Sequence, residues 1–189
     1  CSLEGTAREF DISTRVSCQD MAVELEELEG WTCCGASSGH NTDSDLALAL
    51  PARNLRLAVE QGYEAIVAPC AMCYARFRHT LYDLRDEQLR ARINGFLDKP
   101  FEGEVRIHSL VDLFSQEEKL ALLKEKRSRD LAGLRLVAYY GCLLVRPPEV
   151  LTPDDAEYPT MLDKIVQAAG ATLVDWPMKT ECCGGSLAL

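Results

Sequence analysis

The segment EAIVAPCAMC, residues 64–73, places a short apolar run directly before two cysteines spaced C-x-x-C. The apolar run predicts a strand at Ala65–Ala68, and the sequence that follows predicts a helix over Ala71–Leu97. Cys70 then lies two residues beyond the strand, with Cys73 just after it. Because ligands of open parallel sheets bind at the carboxyl ends of the strands, this segment predicts an α/β fold with cysteines at a ligand-binding rim.

The rest of the chain repeats this alternation, which is typical of βαβ units and a parallel sheet. Further strands are predicted at Val23–Leu28, Val105–His108, Leu134–Tyr140 and Thr172–Asp175. Further helices are predicted at Ser13–Met21, Asp43–Gln61, Leu110–Arg127 and Tyr158–Ala169. Pro51 should break the helix over Asp43–Gln61 or open a fresh one. The Pro-rich stretch RPPEVLTPDDAEYP, residues 146–159, is predicted to be a loop outside the core.

Charge and length limit the classes of function. The chain has 189 residues, of which 30 are acidic and 20 basic, and its formal net charge is −10. An acidic chain lacks the basic face that nucleic acid binding requires. No apolar run reaches the roughly 20 residues of a membrane span, and no signal-peptide pattern is present. We expect a cytoplasmic protein, because thiols stay reduced in that compartment. Because the sequence begins at Cys1 and not at methionine, we expect a trimmed or processed chain or a fragment. By analogy with the strand predicted before Cys142, we expect that a strand before Cys1 is missing.

The cysteines form an internal repeat. Nine are present, at Cys1, Cys18, Cys33, Cys34, Cys70, Cys73, Cys142, Cys182 and Cys183. The first copy reads C-x31-CC-x35-C-x-x-C, from Cys1 to Cys73, and the second has 39 residues between Cys142 and the pair Cys182–Cys183. If the spacing holds, a second C-x-x-C begins about 30 residues beyond Leu189. The polar segment KEKRSRDLAG, residues 124–133, predicts a first domain over 1–130 and a truncated second domain over 131–189.

This arrangement of thiols points to metal or redox chemistry. Without a secretory signal a disulfide framework is disfavoured, and soft thiolates bind iron–sulfur clusters, zinc or Cu(I). Adjacent cysteines diverge, so they suit two irons of one larger cluster better than a single zinc ion, which needs four ligands in a closed tetrahedron. Seven of the nine cysteines follow predicted strands and should reach one sheet rim. Cys18 falls outside both motifs and is predicted to be a buried structural thiol.

Four other residues lie beside the predicted ligands. Gly35 and Gly184 follow the cysteine pairs and would allow a tight turn against an inorganic core. His40 could protonate a leaving thiolate, although a solvated loop histidine is the commoner case. Arg146 could hold an anionic substrate group or form a surface ion pair.

The motifs together resemble the CCG-domain family, which includes the catalytic B subunit of heterodisulfide reductase. The resemblance covers the whole chain and rests on CSLEGTAREFD, WTCCGASS, APCAMCYARF, YYGCLLVRPPEV and ECCGGSLAL. It implies two tandem repeats, each a small parallel, Rossmann-like sheet with flanking helices. It also implies a noncubane [4Fe-4S] cluster in each repeat, described in the family as fused [3Fe-4S] and [2Fe-2S] units. One cluster would be held by Cys1, Cys33, Cys34, Cys70 and Cys73, and the other by Cys142, Cys182, Cys183 and two ligands outside this chain.

The resemblance further implies an activity. In methanogens the two clusters flank the disulfide of coenzyme M and coenzyme B and cleave it reductively, each donating one electron. Electrons come from a flavin-containing partner, the A subunit, through a ferredoxin-like iron–sulfur partner, the C subunit. This chain has no G-x-G-x-x-G fingerprint of its own, so we expect both partners. Two alternatives stay open: an electron-transfer subunit of a fumarate reductase or a glycolate or lactate oxidase complex, and a zinc-stabilised interaction module.

Overall fold

Short helices and strands alternate along the chain. The computed structural model describes residues 5–36, 39–129, 131–151 and 153–185. Its described helices are α1 Arg8–Asp20, α2 Gly39–Thr42, α3 Ser44–Glu60, α4 Ala71–Asp83, α5 Glu87–Asn94, α6 Leu110–Phe114, α7 Glu117–Lys126, α8 Pro148–Leu151 and α9 Met161–Ala168. Its described strands are β1 Ala65–Ala68, β2 Arg106–Ser109, β3 Arg135–Leu136 and β4 Thr172–Leu173. None of the helices in these ranges has both the length and the apolar character needed to cross a membrane.

The strands form two separate parallel pairs. β1 pairs with β2 from Ala65↔Arg106 to Ala68↔Ser109, and β3 pairs with β4 through Arg135↔Thr172 and Leu136↔Leu173. Parallel pairing with flanking helices confirms the predicted α/β class with small parallel sheets. The strand predicted at Ala65–Ala68 coincides with β1, and the next one is displaced by a single residue.

The described residues divide into two compact units whose segments alternate along the sequence. The first unit lies within Cys1–Glu27, Val111–Ala138 and Met161–Trp176. The second lies within Leu28–Leu110, Tyr139–Thr160 and Pro177–Leu189. Seven cysteines, from Cys33 to Cys183, belong to the second unit. The division at residue 130 was predicted for the two sequence repeats and stays a prediction about them.

Of three further predicted strands, one is not formed and two are shorter than predicted. The stretch 23–28 contains no regular strand, and the strands predicted over 134–140 and 172–175 are reduced to two residues each, β3 and β4. A strand is stabilised by a hydrogen-bonded neighbour, and among the described residues β3 and β4 pair only with each other. Within the described ranges, the single sheet rim predicted for seven cysteines is replaced by two small sheets, and only Cys70 lies within two residues of the end of a strand.

Two predicted long helices are each divided. The helix predicted over 71–97 becomes α4 and α5, because the carboxylate of Asp86 accepts a hydrogen bond from the Leu89 N–H at 2.8 Å and starts a new helix. The helix predicted over 110–127 becomes α6 and α7, with Gln116 in an extended conformation before the second. The helices predicted at 13–21 and 158–169 are confirmed with shifted ends, as α1 and α9.

α3 continues through Pro51, so the predicted break at this proline is wrong. Proline has no N–H to donate to the carbonyl four residues earlier, which belongs to Ala47. That carbonyl instead accepts a hydrogen bond from Arg76 Nη2 of α4 at 2.7 Å. The neighbouring helix thus satisfies the acceptor that the proline leaves free.

The Pro-rich stretch contributes to the core, which contradicts its prediction as a loop outside it. Val150 and Leu151 of α8 are buried and belong to the hydrophobic core of the second unit. Tyr74 Oη donates to the Leu151 carbonyl at 3.2 Å, and Arg78 donates to the Val150 carbonyl through Nε at 2.9 Å and Nη2 at 2.6 Å. α4 thus pairs with the polar backbone of α8 as well as with its apolar side chains.

Candidate functional site

Three of the predicted ligand thiols converge in the second unit. Cys70 is the residue before α4, and Cys73 lies in the first turn of that helix. Cys34 Sγ lies 2.9 Å from Cys73 Sγ, and Cys73 is also hydrogen-bonded to Cys70. Cys34 is buried, whereas Cys70 and Cys73 are partly exposed. β1 and α4 together bring the C-x-x-C to the cysteine pair.

Hydrogen bonds among these thiols shift their protonation. The bond with Cys73 lowers the pKa of Cys70 to about 5, aided by two backbone N–H groups and opposed by burial. The bond with Cys73 also lowers the pKa of Cys34 to about 7. The pKa of Cys73 is raised far above its usual range, first by its bond with Cys34 and then by its bond with Cys70. At neutral pH the group carries negative charge on sulfur, which favours binding of a soft metal cation.

The two Cys-Cys-Gly motifs adopt the same backbone turn. Gly35 has a φ of +73° and Gly184 a φ of +76°, a conformation that favours glycine. In each turn the glycine N–H donates to the sulfur of the first cysteine: to Cys33 Sγ at 3.4 Å and to Cys182 Sγ at 3.3 Å. The predicted tight turns are confirmed, and the sequence repeat is also a structural repeat.

The segment before the first cysteine pair is held by α3. Asn54 is buried and makes two hydrogen bonds with the backbone of Thr32. The Thr32 N–H donates to Asn54 Oδ1 at 2.9 Å, and Asn54 Nδ2 donates to the Thr32 carbonyl at 2.7 Å. Two turns of helix later, Gln61 makes the same pair of bonds with the backbone of Glu29, at 3.0 and 2.9 Å. The two side-chain amides thus make the backbone hydrogen bonds that a paired strand would otherwise make, and they hold the segment that leads to Cys33.

The second set of cysteines is also brought together, but on a more open surface. The N–H groups of Tyr140 and Gly141 donate to the Lys179 carbonyl at 2.8 and 3.2 Å, which aligns the segments that lead to Cys142 and Cys182. Burial raises the pKa of Cys142, and so does its hydrogen bond with Cys182. Cys182 and Cys183 are both exposed.

A buried lysine stabilises this second site. The Lys179 side chain is only 2% exposed, and its Nζ donates to the Pro159 carbonyl at 3.3 Å. The same Nζ lies 4.0 Å from the centre of the Tyr158 ring, a cation–π geometry. The short stretch before the second cysteine pair is thus anchored by its backbone on one side and by its side chain on the other.

The donor set fits a sulfur-bound metal group. The convergent side chains are all thiols, and the glycine at each Cys-Cys-Gly turn leaves no side chain of its own beside the sulfurs. Among the described residues, no three or more His, Cys, Asp or Glu side chains form a group of the kind that holds one metal ion. The described thiols are instead linked by hydrogen bonds into two groups: Cys73 is bonded to both Cys34 and Cys70, and Cys142 is bonded to Cys182.

The remaining predicted residues are placed as follows. Cys1 lies outside the described residues. The backbone of His40 belongs to α2, and its side chain is outside the described part of the structure. Arg146 forms an ion pair with Glu157 at 3.1 Å, with both side chains exposed. Cys18 is fully buried in the first unit, as predicted.

Sequence reasoning missed Asn54, Arg76 and Lys179. Each is a polar side chain in a segment that reads as an ordinary helix or loop, and its partner is 20 or more residues away. The one available signal was Pro51, because a proline inside a helix leaves a carbonyl that needs another donor. That signal points to a cation such as Arg76 near Ala47.

Comparison with protein families identifies the chain. The model of the CCG cysteine-rich domain matches residues 1–78 and 136–188, more than half of the sequence. The chain therefore belongs to the CCG cysteine-rich domain family, and the two matched segments correspond to the two copies of the repeat.

Curated relatives are subunits of redox enzymes. The chain is 32% identical over 187 residues to the 8-methylmenaquinol:fumarate reductase membrane anchor subunit of Wolinella succinogenes, covering 97% of this chain and 64% of that protein. It is 29% identical to the B subunit of the ferredoxin:CoB-CoM heterodisulfide reductase of Methanosarcina mazei, covering 91% of this chain and 58% of that protein. It is also 28% identical to a protein of Archaeoglobus profundus that is named as similar to the B subunit of heterodisulfide reductase. This match covers 97% of this chain and 64% of that protein. The chain thus spans 58–64% of the length of these relatives.

Proposed function

We propose that this member of the CCG family is the disulfide-reducing subunit of a multi-subunit oxidoreductase of the heterodisulfide reductase type, and that its cysteines hold noncubane [4Fe-4S] clusters. The observation that carries the proposal is the convergence of Cys34, Cys70 and Cys73 beside a Cys-Cys-Gly turn that recurs at Cys182. Relatives named for the B subunit of heterodisulfide reductase support it.

The proposed ligands divide into two sets. Cys1, Cys33, Cys34, Cys70 and Cys73 would hold the first cluster. Cys142, Cys182 and Cys183 would hold the second, together with two ligands from polypeptide beyond this chain. Thiols must lose their proton to bind metal. The lowered pKa values of Cys34 and Cys70 favour this deprotonation in the first set at neutral pH.

Disulfide cleavage needs two electrons and two protons, and it gives two thiols. When bound, each cluster would supply one electron. The chain's own part would be to hold the two cysteine sets and to place proton donors and anion-binding groups beside the disulfide. His40 and Arg146 are the candidates for these two tasks, and the Arg146–Glu157 ion pair would have to open for Arg146 to bind an anionic substrate.

Electrons would reach the protein from partner subunits. We propose a ferredoxin-like iron–sulfur protein and a flavin-containing protein, the C and A subunits of the heterodisulfide reductase type, as the donors. They would act in the cytoplasm, where thiols stay reduced. A second candidate function follows from the Wolinella succinogenes relative, which belongs to a menaquinol-dependent fumarate reductase. In that case the same cysteine sets would pass electrons between a quinol and a partner and would not act on a disulfide.

The test is anaerobic purification of the full-length protein, followed by iron and acid-labile sulfide analysis and electron paramagnetic resonance. The reduced protein is then mixed with the coenzyme M–coenzyme B disulfide or with glutathione disulfide. In a separate reaction, the oxidised protein is mixed with a reduced methylmenaquinone analogue. We expect iron with matching sulfide, and oxidation of the clusters by a disulfide with release of two thiols per disulfide.

The alternatives give different results. Equimolar zinc without sulfide would identify a zinc module and overturn the cluster proposal. Clusters that react with the quinol but with neither disulfide would favour the fumarate reductase type. A thioether analogue of the disulfide is the matched control, because it binds through the same end groups but has no S–S bond to reduce.

A further inference from the structure

We propose that Tyr139 is the proton donor of the second cysteine set, and that its phenol protonates the thiolate released there when a disulfide is reduced. The inference rests on the proposed function and adds to it a residue that lies outside the cysteine motifs. Its basis is the position of the Tyr139 side chain between the two backbone segments that carry this set.

The Tyr139 side chain contacts the residues that precede two of the thiols. Its hydroxyl donates to the carbonyl of Glu181, the residue directly before Cys182, at 2.8 Å. One edge of its ring lies beside Gly141, the residue directly before Cys142, because Cε1 is 4.0 Å from the position that a Cβ on Gly141 would take. The phenol is therefore held where the two segments meet.

The phenol also lies within electrostatic reach of all three described thiols of this set. Desolvation raises the pKa of Tyr139, and nearby negative charge raises it further, in decreasing order that of Cys183, Cys182, Cys142 and Glu181. Charge interactions at a protein surface are screened beyond about 8–10 Å, so these groups must lie close to the phenol. Three thiols and one carboxylate thus face Tyr139, and the phenol keeps its proton at neutral pH.

Tyr139 is open to solvent, as a donor that must be reprotonated requires. The residue is 43% exposed, and Cys182 and Cys183 are exposed as well. A small disulfide can therefore reach the thiols of this set from solvent, and water can return a proton to the phenolate after transfer.

The proposed step balances electrons and protons. Two electrons from the iron–sulfur partner, passed on through the cysteine sets, break the S–S bond and leave two thiolates. The Tyr139 O–H turns from the Glu181 carbonyl to the thiolate at the second set and transfers its proton, which gives a thiol and a phenolate. The phenolate then takes a proton from water. Because nearby negative charge raises the pKa of a thiol as it raises that of a phenol, the two acids stay comparable in strength, which favours transfer between them.

The experiment measures thiol release in a single turnover of the full-length, reduced, cluster-loaded protein. The probe is the coenzyme M–coenzyme B disulfide or glutathione disulfide. Tyr139→Phe keeps the ring and removes the hydroxyl. We expect unchanged iron and sulfide content and a rate constant for thiol release that is about 100-fold lower at about pH 8, a typical contribution of general acid catalysis. The deficit should shrink as the pH falls, because hydronium and buffer acids then protonate the thiolate directly.

Tyr82→Phe is the matched control. It removes the hydroxyl from a tyrosine of α4 that is 38% exposed and outside the cysteine motifs, so it should leave the rate of thiol release unchanged. An equal loss of rate in Tyr82→Phe and Tyr139→Phe would show a general effect of losing a surface hydroxyl and would overturn the inference.

A second variant keeps the hydroxyl and its bond to the Glu181 carbonyl. Replacement of Tyr139 by a ring-fluorinated tyrosine lowers the pKa of the phenol. We expect the rate of thiol release to begin to fall at a lower pH than in the unaltered protein, because the donor is lost as the pH rises through its pKa. A role confined to holding the Glu181 carbonyl would leave the pH profile unchanged. Coincident profiles would overturn the inference, whether or not Tyr139→Phe loads its clusters.

Failure of the inference can be distinguished from failure of the proposed function. If the unaltered, cluster-loaded protein releases no thiol from either disulfide, the function proposal falls and the inference falls with it. If the unaltered protein releases thiol and Tyr139→Phe does so at the same rate, disulfide reduction stands and the inference alone is wrong.

Discussion

The two cysteine sets share one turn but differ in their surroundings. Both Cys-Cys-Gly motifs have a left-handed glycine, at Gly35 and Gly184, whose N–H contacts the sulfur of the first cysteine. Around the first set, a C-x-x-C at the start of α4 brings in two more thiols, and two pKa values are lowered. Around the second, the described chain supplies one further thiol, Cys142, whose pKa is raised. The turn is thus the common unit, and its environment decides how negative the sulfurs are.

The largest expected effect comes from removing the thiol that contacts two others. Cys73→Ser should abolish the cluster of the first set, because serine is a poor ligand for soft metals and both hydrogen bonds to sulfur are altered. Iron and sulfide content should fall by one cluster, and the signal of the second set should persist. The control is Cys18→Ala, which removes a buried thiol of the first unit and should leave iron content unchanged. Equal iron loss in both variants would show that the loss reflects general damage and not ligation.

The pH dependence of alkylation should separate the two sets in cluster-free protein. Because thiolate is the reactive form, a pKa of about 5 makes the reactivity of Cys70 nearly constant from about pH 6.5 to 8.5. The raised pKa of Cys142 should instead make its alkylation rate increase about tenfold per pH unit over that range. Peptide mass spectrometry after timed iodoacetamide labelling measures both sites in one sample. In denaturant the two profiles should coincide. If they also coincide in the folded protein, the pKa values of Cys70 and Cys142 do not differ and the prediction is wrong.

Alanine at the two turn glycines should reveal how tightly each turn is packed. Both substitutions place a side chain in the left-handed region, at a cost of about 1–2 kcal/mol. At Gly35 the new Cβ would also lie 2.8 Å from Leu50 Cδ1, whereas at Gly184 no described atom lies within 4 Å. Gly35→Ala should therefore cost about 1–3 kcal/mol more than Gly184→Ala in urea denaturation. Adding Leu50→Ala should reduce that excess, and equal costs for the two glycine variants would contradict the packing difference.

Elements with a strong local signal could be predicted from the sequence. β1 was predicted to the residue, because an apolar run with two β-branched residues ends at Pro69 and Cys70. The tight turns at Gly35 and Gly184 followed from the recurrence of one motif. These features depend on residues close together in the chain, so the local pattern was sufficient.

What the sequence did not reveal depends on partners far away in the chain. α3 passes through Pro51 because Arg76 satisfies the Ala47 carbonyl, 29 residues away. Val150 and Leu151 are buried, despite their Pro-rich and acidic context, because α4 supplies both apolar contacts and donors to their carbonyls. Conversely, the predicted strand over 23–28 has a suitable pattern but no described neighbour to pair with. Tertiary contacts thus overrode local propensity in both directions.

A pair of tyrosines gives the smallest and most local comparison of the two sets. Tyr74, next to Cys73, is buried, and its hydroxyl donates to the buried carbonyl of Leu151 at 3.2 Å. Tyr139, three residues before Cys142, is exposed, and its hydroxyl donates to the Glu181 carbonyl at 2.8 Å. Tyr74→Phe should lower the free energy of unfolding by about 1–2 kcal/mol, because the Leu151 carbonyl loses a donor that water cannot easily replace. Tyr139→Phe should leave the urea midpoint unchanged, since water replaces the lost donor. If the shorter bond of Tyr139 proved the more important, bond length and not burial would govern these contacts, and the contrast between a packed first set and an open second set would fail.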